Sequence, residues 1–313
     1  MRVLASVLLL AACGGNSSSQ KPIDAPPDLA PLPDTPPGHY FYVVDHQDVP
    51  TNNTQARAYG LDLNNDGTVD NQFGMVLGTL ASMGFDAQGS VTTSITSGQT
   101  ILLADLGALD FTNTTGSTFT TWDGESVSAT PPTYKVAATS PHDTPLDGMA
   151  VGGTFHFGPG ALELQGAYFA PDKVVKIHLL GARTKLTAVT ATALGPSILA
   201  GGIPMTEITG TLEPAWQASA MEVVLRDCCG AATSPGGATC NPSGTPACGC
   251  TDGSDGKTML GLFDTSPRDC TISITEIQNN SLIMSLLAPD LTIDGQQALS
   301  FGVQVTAKHA DLY

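Results

Sequence analysis

Short apolar runs separated by glycine, proline and aspartate fill the middle of the chain, from position 100 to 192. These runs are rich in β-branched and aromatic residues and are bounded by turn residues, which predicts short strands. The predicted strands are Ile101–Leu103, Thr118–Trp122, Tyr134–Val136, Thr154–Phe157, Ala161–Leu164, Val174–Leu180 and Leu186–Thr192. His39–Val44 predicts a first strand, and the clean alternation of Leu299–Thr306 predicts a last one. Many short strands of this kind indicate an antiparallel β-sandwich or barrel.

Helical spacing of apolar residues appears in a few segments outside this region. Asn71–Gly84 carries such a stripe and ends in glycine. Pro214–Arg226 begins with a proline, which the first turn of a helix tolerates. Gly256–Phe263 and Thr275–Leu287 are further helical candidates, and the stretch from the first strand to Asn71 is predicted to be a loop. The predicted fold is therefore mainly β, of the α+β kind, with a few peripheral helices and a disulfide-stapled loop.

The first residues have the layout of an export signal. Arg2 supplies a positive charge, and the apolar run Val3–Leu10 is followed by small residues and a cysteine. The tetrad Leu10-Ala11-Ala12-Cys13 resembles the lipobox of bacterial lipoproteins. The resemblance implies that residues 1–12 are a signal peptide that is removed and that Cys13 is lipidated. An ordinary secretory signal with a coincidental cysteine is the alternative.

Residues 13–38 are predicted to form an extended tether, because prolines hold a backbone extended at about 3.1 Å per residue. Gly14 follows the lipobox where enteric bacteria place an inner-membrane retention aspartate, so the resemblance implies the outer membrane. A lipid on Cys13 would anchor the chain without spanning the bilayer. Spanning needs about 20 consecutive apolar residues, and no later run approaches that length. Residues 39–313 show no second linker and are predicted to form one domain.

The chain is acidic. It contains 12 lysines and arginines against 29 aspartates and glutamates, which gives a formal net charge of −17. This charge repels nucleic-acid phosphates, so nucleic-acid binding is not expected. It favours cations, although acidity is also a common solubility feature of exported proteins.

Six of the seven cysteines are concentrated in the loop 227–270. They are Cys228, Cys229, Cys240, Cys248, Cys250 and Cys270. An even number of cysteines in an exported chain predicts disulfides. Cys228 with Cys229, and Cys248 with Cys250, are too close in sequence to bond without strain. A thiolate zinc site is the alternative, although the paired Cys-x-x-Cys spacing of such sites is missing.

The strongest chemical signal is the segment Asp62–Asp70, which we call the acidic loop. Its sequence, Asp-Leu-Asn-Asn-Asp-Gly-Thr-Val-Asp, resembles the Asp-x-Asp-x-Asp-Gly loop of EF-hands, dockerins and thrombospondin-type repeats. The resemblance implies a Ca²⁺ site whose ligands are Asp62, Asn64, Asp66, the carbonyl of Thr68, and Asp70 directly or through water. Phe73 stands where an EF-hand carries a bidentate glutamate, so we expect a Kd of about 10⁻⁴ to 10⁻³ M. A metal-free turn is the alternative.

Two later segments are degraded versions of this loop. Asp264–Glu276, which we call the second loop, has Glu276 at the place of the bidentate ligand. Pro267 and Arg268 intrude, and its length is one residue off, so we expect it to be vestigial and metal-free. Asp290–Gly295 offers two carboxylates and a hydroxyl, and it equally predicts a hairpin turn before the last strand.

Further segments resemble uncharacterised lipoproteins of delta-proteobacterial type. They are Ala58–Asp62, which leads into the acidic loop, Ile101–Asp105 and Asn280–Asp290. Together with the lipobox, the resemblance extends over most of the chain. It implies the location and calcium binding, and it assigns no activity.

Common catalytic motifs are missing from the sequence: it has no Gly-x-Ser-x-Gly elbow, His-Glu-x-x-His pair or phosphate-binding Gly-rich loop. The residues with acid–base chemistry are His142, Asp143, Asp147, His156, His178, Glu125, Glu163 and Asp172. The first three lie in a Pro-rich loop and are expected to be solvated, and the two later histidines lie on predicted strands. The three remaining acids would suit a glycosidase only at a defined separation, which the sequence does not give.

The sequence favours a non-enzymatic, lipid-anchored surface module. Calcium would rigidify its β-rich domain for contact with a glycan, matrix or protein partner. One alternative is a secreted hydrolase, for example one directed at polysaccharides, with loop carboxylates as acid and base. Another is a periplasm-facing structural lipoprotein without a soluble ligand.

Overall fold

The strands of the protein pair into a closed circuit. The computed structural model describes residues 38–82, 85–228, 248–265 and 268–313, in which strand outnumbers helix by 42% to 28%. The strands are β1 (Gly38–Asp48), β2 (Leu102–Ala108), β3 (Thr114–Ala129), β4 (Pro132–Val136), β5 (Leu146–Val151), β6 (Thr154–Gly166), β7 (Val175–Leu186), β8 (Ala193–Pro204), β9 (Leu291–Ile293), β10 (Gln296–His309) and β11 (Asp311–Leu312). The helices are α1 (Asn53–Ala58), α2 (Gln72–Ser82), α3 (Ala87–Thr96), α4 (Met205–Glu207), α5 (Glu213–Asp227), α6 (Asp255–Phe263), α7 (Ile274–Asn279) and α8 (Ser281–Leu286), with a π-helical turn (Ile208–Leu212) between α4 and α5.

The order of the strands is β11-β4-β3-β2-β1-β10-β8-β7-β6-β5, and β9 pairs with β10. Strand β5 also pairs with β3. The strands β3, β2, β1, β10, β8, β7, β6 and β5 therefore form a ring in which every pairing is antiparallel, whereas β11 meets β4 in parallel. The predicted mainly β fold, with few helices and a disulfide-stapled loop, is confirmed.

Residues Pro37–Tyr313 form one compact unit, and Phe301 of β10 lies in its larger hydrophobic core. The Phe301 ring meets the rings of Phe73 in α2 and Tyr168 edge-on, at centroid distances of 5.0 and 5.4 Å. Gln47 donates a hydrogen bond to the Tyr168 hydroxyl (3.0 Å), which gives a buried polar group a partner. The apolar stripe of α2 thus packs against the central strand. None of the described helices is both long enough and apolar enough to cross a membrane.

Strands β5 and β8 and helices α1 and α3 do not follow from the apolar pattern. Strand β8 contains glycines and a proline, a composition typical of loops. At Gly201 a Cβ would lie 2.8 Å from the Cβ of Leu179, so glycine lets β8 approach β7 closely. Helix α3 consists largely of threonine, serine and glycine, and it begins because Asp86 accepts a hydrogen bond from Gly89 N (2.8 Å).

Two sequence predictions place element boundaries wrongly. The predicted strand Leu186–Thr192 is wrong, because Leu186 ends β7 and residues 187–192 form the turn to β8, in which the hydroxyl of Thr190 accepts hydrogen bonds from the N–H groups of residues 192 and 193. The predicted helix Thr275–Leu287 is two helices. Asn280 separates them, since its side-chain oxygen accepts the first N–H groups of α8.

Two disulfides staple the Cys-rich loop. Cys228 is bonded to Cys250 and Cys248 to Cys270, each across a sequence separation of 22. A closure of this length stabilises a fold by about 3 kcal/mol in the chain-entropy model. These four cysteines keep no thiolate for the alternative zinc site. The predicted disulfide cysteines Cys229 and Cys240 lie outside the described residues. The predicted lipidation site Cys13, the predicted signal peptide and the predicted tether up to residue 37 lie outside them too.

The side chain of Asn71 fills a gap beside β10. Strand β10 pairs with β9 only up to Ala298 and with β1 only from Gln304, so the residues between them have no strand partner on that side. There Asn71 accepts a hydrogen bond from Gly302 N (3.0 Å) and donates one to Gly302 O (2.9 Å). It also donates to the last turn of α1 and accepts from the first turn of α2. All four hydrogen-bonding positions of this buried amide are therefore used.

Replacing Asn71 by alanine should destabilise the fold by about 3 kcal/mol or more, because the peptide group of Gly302 is left buried without partners. Urea unfolding followed by circular dichroism measures this change. Asn52→Ala is the matched control, since Asn52 caps α1 through an exposed hydrogen bond to Gln55 N, and its loss should cost about 1 kcal/mol. Equal losses from the two substitutions would refute the role given to Asn71.

Candidate functional site

The acidic loop connects α1 to α2 and rests on the central strand β10. Leu61 and Asp70 form an antiparallel bridge, in which Asp70 N donates to Leu61 O (2.9 Å). Gly302 of β10 permits this approach, because a Cβ there would collide with the backbone at positions 59 and 60. The loop is followed directly by Asn71, so the amide described above fixes one of its ends.

Backbone N–H groups orient the carboxylates of the loop. Asp62 accepts hydrogen bonds from Asp66 N (3.2 Å) and Gly67 N (2.9 Å). Asp66 accepts from the N–H group (2.8 Å) and the hydroxyl of Thr68, and Asn64 accepts from Asp66 N (2.9 Å). Gly67 has a φ of +87°, which glycine adopts without strain. The five predicted ligands are thus held in one tight turn.

The loop concentrates negative charge. Asp70 accepts a hydrogen bond from Leu63 N (2.8 Å). Burial raises the pKa of Asp70, and the carboxylates of Asp290 and Asp66 raise it further, while backbone hydrogen bonds oppose the rise. No ion pair within the described ranges involves Asp62, Asp66 or Asp70. Mutual repulsion of these acids is therefore not relieved by a described basic side chain.

The carboxylates of the acidic loop do not all converge on one point. Among the described acidic, histidine and cysteine residues, one group of three has ligand atoms within 4.8 Å of one another, and it consists of Cys248, Asp264 and Cys270. Its two sulfurs are bonded to each other, so neither is a thiolate ligand. In the acidic loop, Asp62 and Asp66 direct oxygens at N–H groups, which orients them without bringing all three acids together.

The second loop repeats the hydrogen bonds of the acidic loop with one additional residue. Asp264 accepts from Asp269 N (3.0 Å) and Cys270 N (3.1 Å). Asp269 accepts from the N–H group (3.0 Å) and the hydroxyl (2.6 Å) of Thr271. These are the contacts of Asp62 and Asp66, and Cys270 has the positive φ (+66°) that Gly67 has in the acidic loop. The one-residue difference in length is thus absorbed ahead of Asp269.

The two loops differ in what closes them. Cys270 of the second loop is tied to Cys248 by a disulfide. Glu276, at the place of a bidentate ligand, accepts hydrogen bonds from Thr265 N (2.8 Å) and Ser273 N (2.9 Å), the latter as part of a capping box for α7. Pro267 lies outside the described residues. The metal-free state expected for this loop stays a prediction.

The segment Asp290–Gly295 forms the hairpin that was the alternative to an ion site. Asp294 and Gly295 have φ values of +50° and +79° in the turn between β9 and β10. Asp290 accepts a hydrogen bond from Ser300 N (2.7 Å) and another from its hydroxyl. It therefore fills the gap in pairing along β10 next to Asn71.

Two of the acid–base candidates, Asp143 and Glu163, converge on a third, His178. This residue of β7 is the cross-strand partner of Glu163 in β6, and its Nδ1 lies 3.6 Å from Glu163 Oε2 and 3.5 Å from Asp143 Oδ2. Glu207, which no sequence signal singles out, accepts a hydrogen bond from His178 N (3.0 Å). The Glu163 carboxylate raises the pKa of His178, Asp143 and Glu207 add to the rise, and burial opposes it.

Glu163 is the most buried acid of this cluster, which consists of Asp143, Glu163, His178 and Glu207. Its side chain is 4% exposed, and its Oε2 has no hydrogen-bond partner among the described residues. Burying a carboxylate without a hydrogen bond is costly, so charge attraction from His178 is the principal compensation.

The remaining acid–base candidates are dispersed. Glu125 pairs with Lys135 (2.8 Å) and Asp172 with Lys173 (3.4 Å), all at the surface. His142 is exposed. Asp147 and His156 line the same cleft, although the sequence suggests no relation between them. Glu125, Glu163 and Asp172 therefore face different partners and form no shared site.

No known protein family, curated protein sequence or solved structure matches this chain.

Proposed function

We propose that the protein is a lipid-anchored, extracytoplasmic binding or structural module whose acidic loop is stabilised by calcium. The observation that carries the proposal is the turn from Asp62 to Asp70, in which oxygens are oriented by the backbone and acids repel one another without a basic partner. A divalent cation would relieve this repulsion. The oxygen-only donor set suits Ca²⁺, which prefers hard oxygen ligands.

The residues that would hold the ion are those of the predicted set. Asp62, Asn64 and Asp66 would offer side-chain oxygens, Thr68 its carbonyl, and Asp70 its carboxylate directly or through water. Phe73 supplies no oxygen at the twelfth position, which supports a weak site of the kind found in extracellular modules.

The second loop supports the choice of the acidic loop as the ion site. Both loops have the same pattern of hydrogen bonds, but at the place of Gly67 the second loop carries Cys270, bonded to Cys248. A covalent link already restricts that loop. The acidic loop has no such link, and a bound cation would hold it closed in a comparable way.

The location follows from the predicted lipid on Cys13. The anchor and the tether of residues 13–38 would hold the domain away from the outer membrane, where divalent ions and an oxidising environment are available. The partner would be a glycan, a matrix component or a protein. Non-reducing mass spectrometry of the mature chain tests the anchor, since an unmodified Cys13 would exclude it.

Calcium should raise the thermal stability of the protein. With a Kd of about 10⁻⁴ to 10⁻³ M, 10 mM Ca²⁺ should add about 1.4 to 2.7 kcal/mol relative to chelator. Differential scanning calorimetry with Ca²⁺, Mg²⁺ or chelator measures the effect.

Asp66→Asn and Asp269→Asn form a matched pair for this measurement, because each acid accepts the N–H group and the hydroxyl of a threonine two residues later. The calcium increment should disappear in Asp66→Asn and persist in Asp269→Asn. An unchanged melting temperature of the parent chain in Ca²⁺ would remove the ion from the proposal.

A second candidate, a hydrolase, is supported by the cluster around His178. A histidine placed between two carboxylates, one of them buried and without a hydrogen bond, resembles acid–base machinery in its chemistry. Hydrolysis of a panel of soluble polysaccharides, measured by release of reducing ends, tests it. A hydrolase is supported if the parent chain hydrolyses a polysaccharide and Glu163→Gln abolishes this activity. No turnover on the panel would reject it.

The same cluster should make stability depend on pH. The folded pKa of His178 lies above the ordinary value of 6.5, so its protonation stabilises the fold fully below about pH 6.5, and this contribution is lost as pH rises through the folded pKa. Urea unfolding at a series of pH values should show the loss in the parent chain and not in His178→Asn. His142→Asn, an exposed histidine of the segment that carries Asp143, should keep the parent profile. An identical profile in all three chains would contradict this role of His178.

A further inference from the structure

A cleft of about 780 Å³ is lined by residues of the acidic loop region and of β5, β6 and β7. The lining includes Leu61 and Asp62, Met149 and Val151 of β5, His156 of β6 and Arg183 of β7. Its volume is in the range of ligand sites, which is about 300 to 1,000 Å³.

Strand register explains how these distant segments meet. Arg183 of β7 is the partner of Ala200 in β8, and Ala200 is the partner of Gly302 in β10. The backbone at positions 59 and 60 lies on Gly302, so the acidic loop begins two strands away from Arg183. On the other side, His156 of β6 is opposite Met149 of β5.

Arg183 has no partner for its guanidinium in the described part of the chain. Its Nε is buried without a hydrogen bond, and it forms no described ion pair. A buried donor without a partner is costly. In a chain with a net charge of −17, acids are plentiful, and the absence of one at Arg183 leaves this cation available to an external anion.

A second cation lies close to Arg183 in sequence. Lys185 lies two residues from Arg183 and is the cross-strand partner of His156. Both are exposed, and neither forms an ion pair within the described ranges. The unpaired Arg183 guanidinium, with Lys185 on the same strand, therefore favours a single carboxylate of a ligand at this position.

The cleft also contains hydrogen-bond acceptors and an apolar wall. Asp62 and Asp147 line it and would accept hydrogen bonds from ligand hydroxyls, whereas they would repel a second carboxylate inside the cleft. Met149 and Val151 are 50% and 64% exposed, which offers apolar surface to the C–H face of a sugar ring. A single sugar unit with one carboxylate for Arg183 and several hydroxyls for the two aspartates satisfies all of these groups.

Peptide binding by strand addition does not suit this surface. Strand β5 is paired on both sides, with β3 and with β6, so it has no free edge to which a peptide could add a strand. Recognition must therefore come from side chains.

We infer that the cleft binds an acidic polysaccharide, one whose sugar units carry a carboxylate and free hydroxyls. Arg183 binds the carboxylate, Asp147 and Asp62 accept hydroxyl hydrogen bonds, and Met149 and Val151 pack against the ring. The inference deepens the proposed binding function by naming its ligand class and site. Because Asp62 belongs to both the cleft and the acidic loop, calcium and the polysaccharide share one wall.

Isothermal titration of the full chain tests the inference with oligomers of galacturonate, glucuronate and mannuronate as probes. At least one should bind, and its carboxyl-methylated form should bind about tenfold or more weakly, because the ester cannot accept the charge-assisted pair from Arg183. Arg183→Gln should produce a similar loss, and Arg183→Lys a smaller one, since lysine keeps the charge but not the forked geometry.

Arg57→Gln is the matched control, because Arg57 is exposed and forms no ion pair within the described ranges. It should leave affinity unchanged. Calorimetry checks that each variant keeps the melting temperature of the parent chain. If Arg183→Gln does not fold, Arg183→Lys serves as the test. Three outcomes would each overturn the inference. The first is an affinity that the Arg183 substitutions leave unchanged, the second is equal affinity for oligoglutamate, and the third is no binding of any uronate oligomer.

Titrations in Ca²⁺ and in chelator separate this inference from the proposed calcium role. Uronate binding that persists in chelator, together with a melting temperature insensitive to calcium, would reject the calcium site and support the ligand site in the cleft. Stabilisation by calcium without uronate binding would reject the ligand site in the cleft and leave the calcium site supported.

Discussion

The buried amide of Asn71 ties the strand circuit to the acidic loop. Strand β10 pairs with β8 along one side, and on its other side it is unpaired between its partners β9 and β1. Asn71 pairs with Gly302 there and holds α1 and α2 at the same time. An aspartate would lack the two donors, and an alanine would lack all four positions. The position of the acidic loop therefore depends on hydrogen-bond chemistry that only a side-chain amide supplies.

The acidic loop and the second loop share one pattern of hydrogen bonds but differ in what holds them closed. In each, one aspartate accepts hydrogen bonds from two N–H groups at the turn, and a second aspartate accepts hydrogen bonds from the N–H group and the hydroxyl of a threonine. The second loop is closed by Cys248–Cys270, which acts mainly by restricting the unfolded chain. In the acidic loop the charge of neighbouring acids is unrelieved, and a cation would act on the folded state directly.

Charge is distributed unevenly over this acidic chain. Acids gather in the acidic loop and around His178, whereas Arg183 and Lys185 stand on β7 without carboxylate partners in the described structure. Strand β7 thus carries toward one end a histidine whose pKa is raised by neighbouring acids, and toward the other end cations without a described partner. The first arrangement stabilises the fold, and the second is suited to an external anion.

Local pattern in the sequence determined much of the secondary structure. The apolar stripes that predict α2, α5 and α6 and the alternation that predicts β10 are patterns within short stretches of the chain, and the cysteine content marks the disulfide-stapled loop. The acidic motif is also local, and Asp62, Asn64, Asp66 and Thr68 lie in one turn. Strand β8 escaped prediction because its glycines serve a close approach to β7 that no short-range pattern records. The convergence of Asp143, Glu163 and His178, the edge-filling role of Asn71 and the cleft at Arg183 were decided by the tertiary structure alone. Each depends on the register of strands far apart in sequence, and register is set by the packing of the whole circuit.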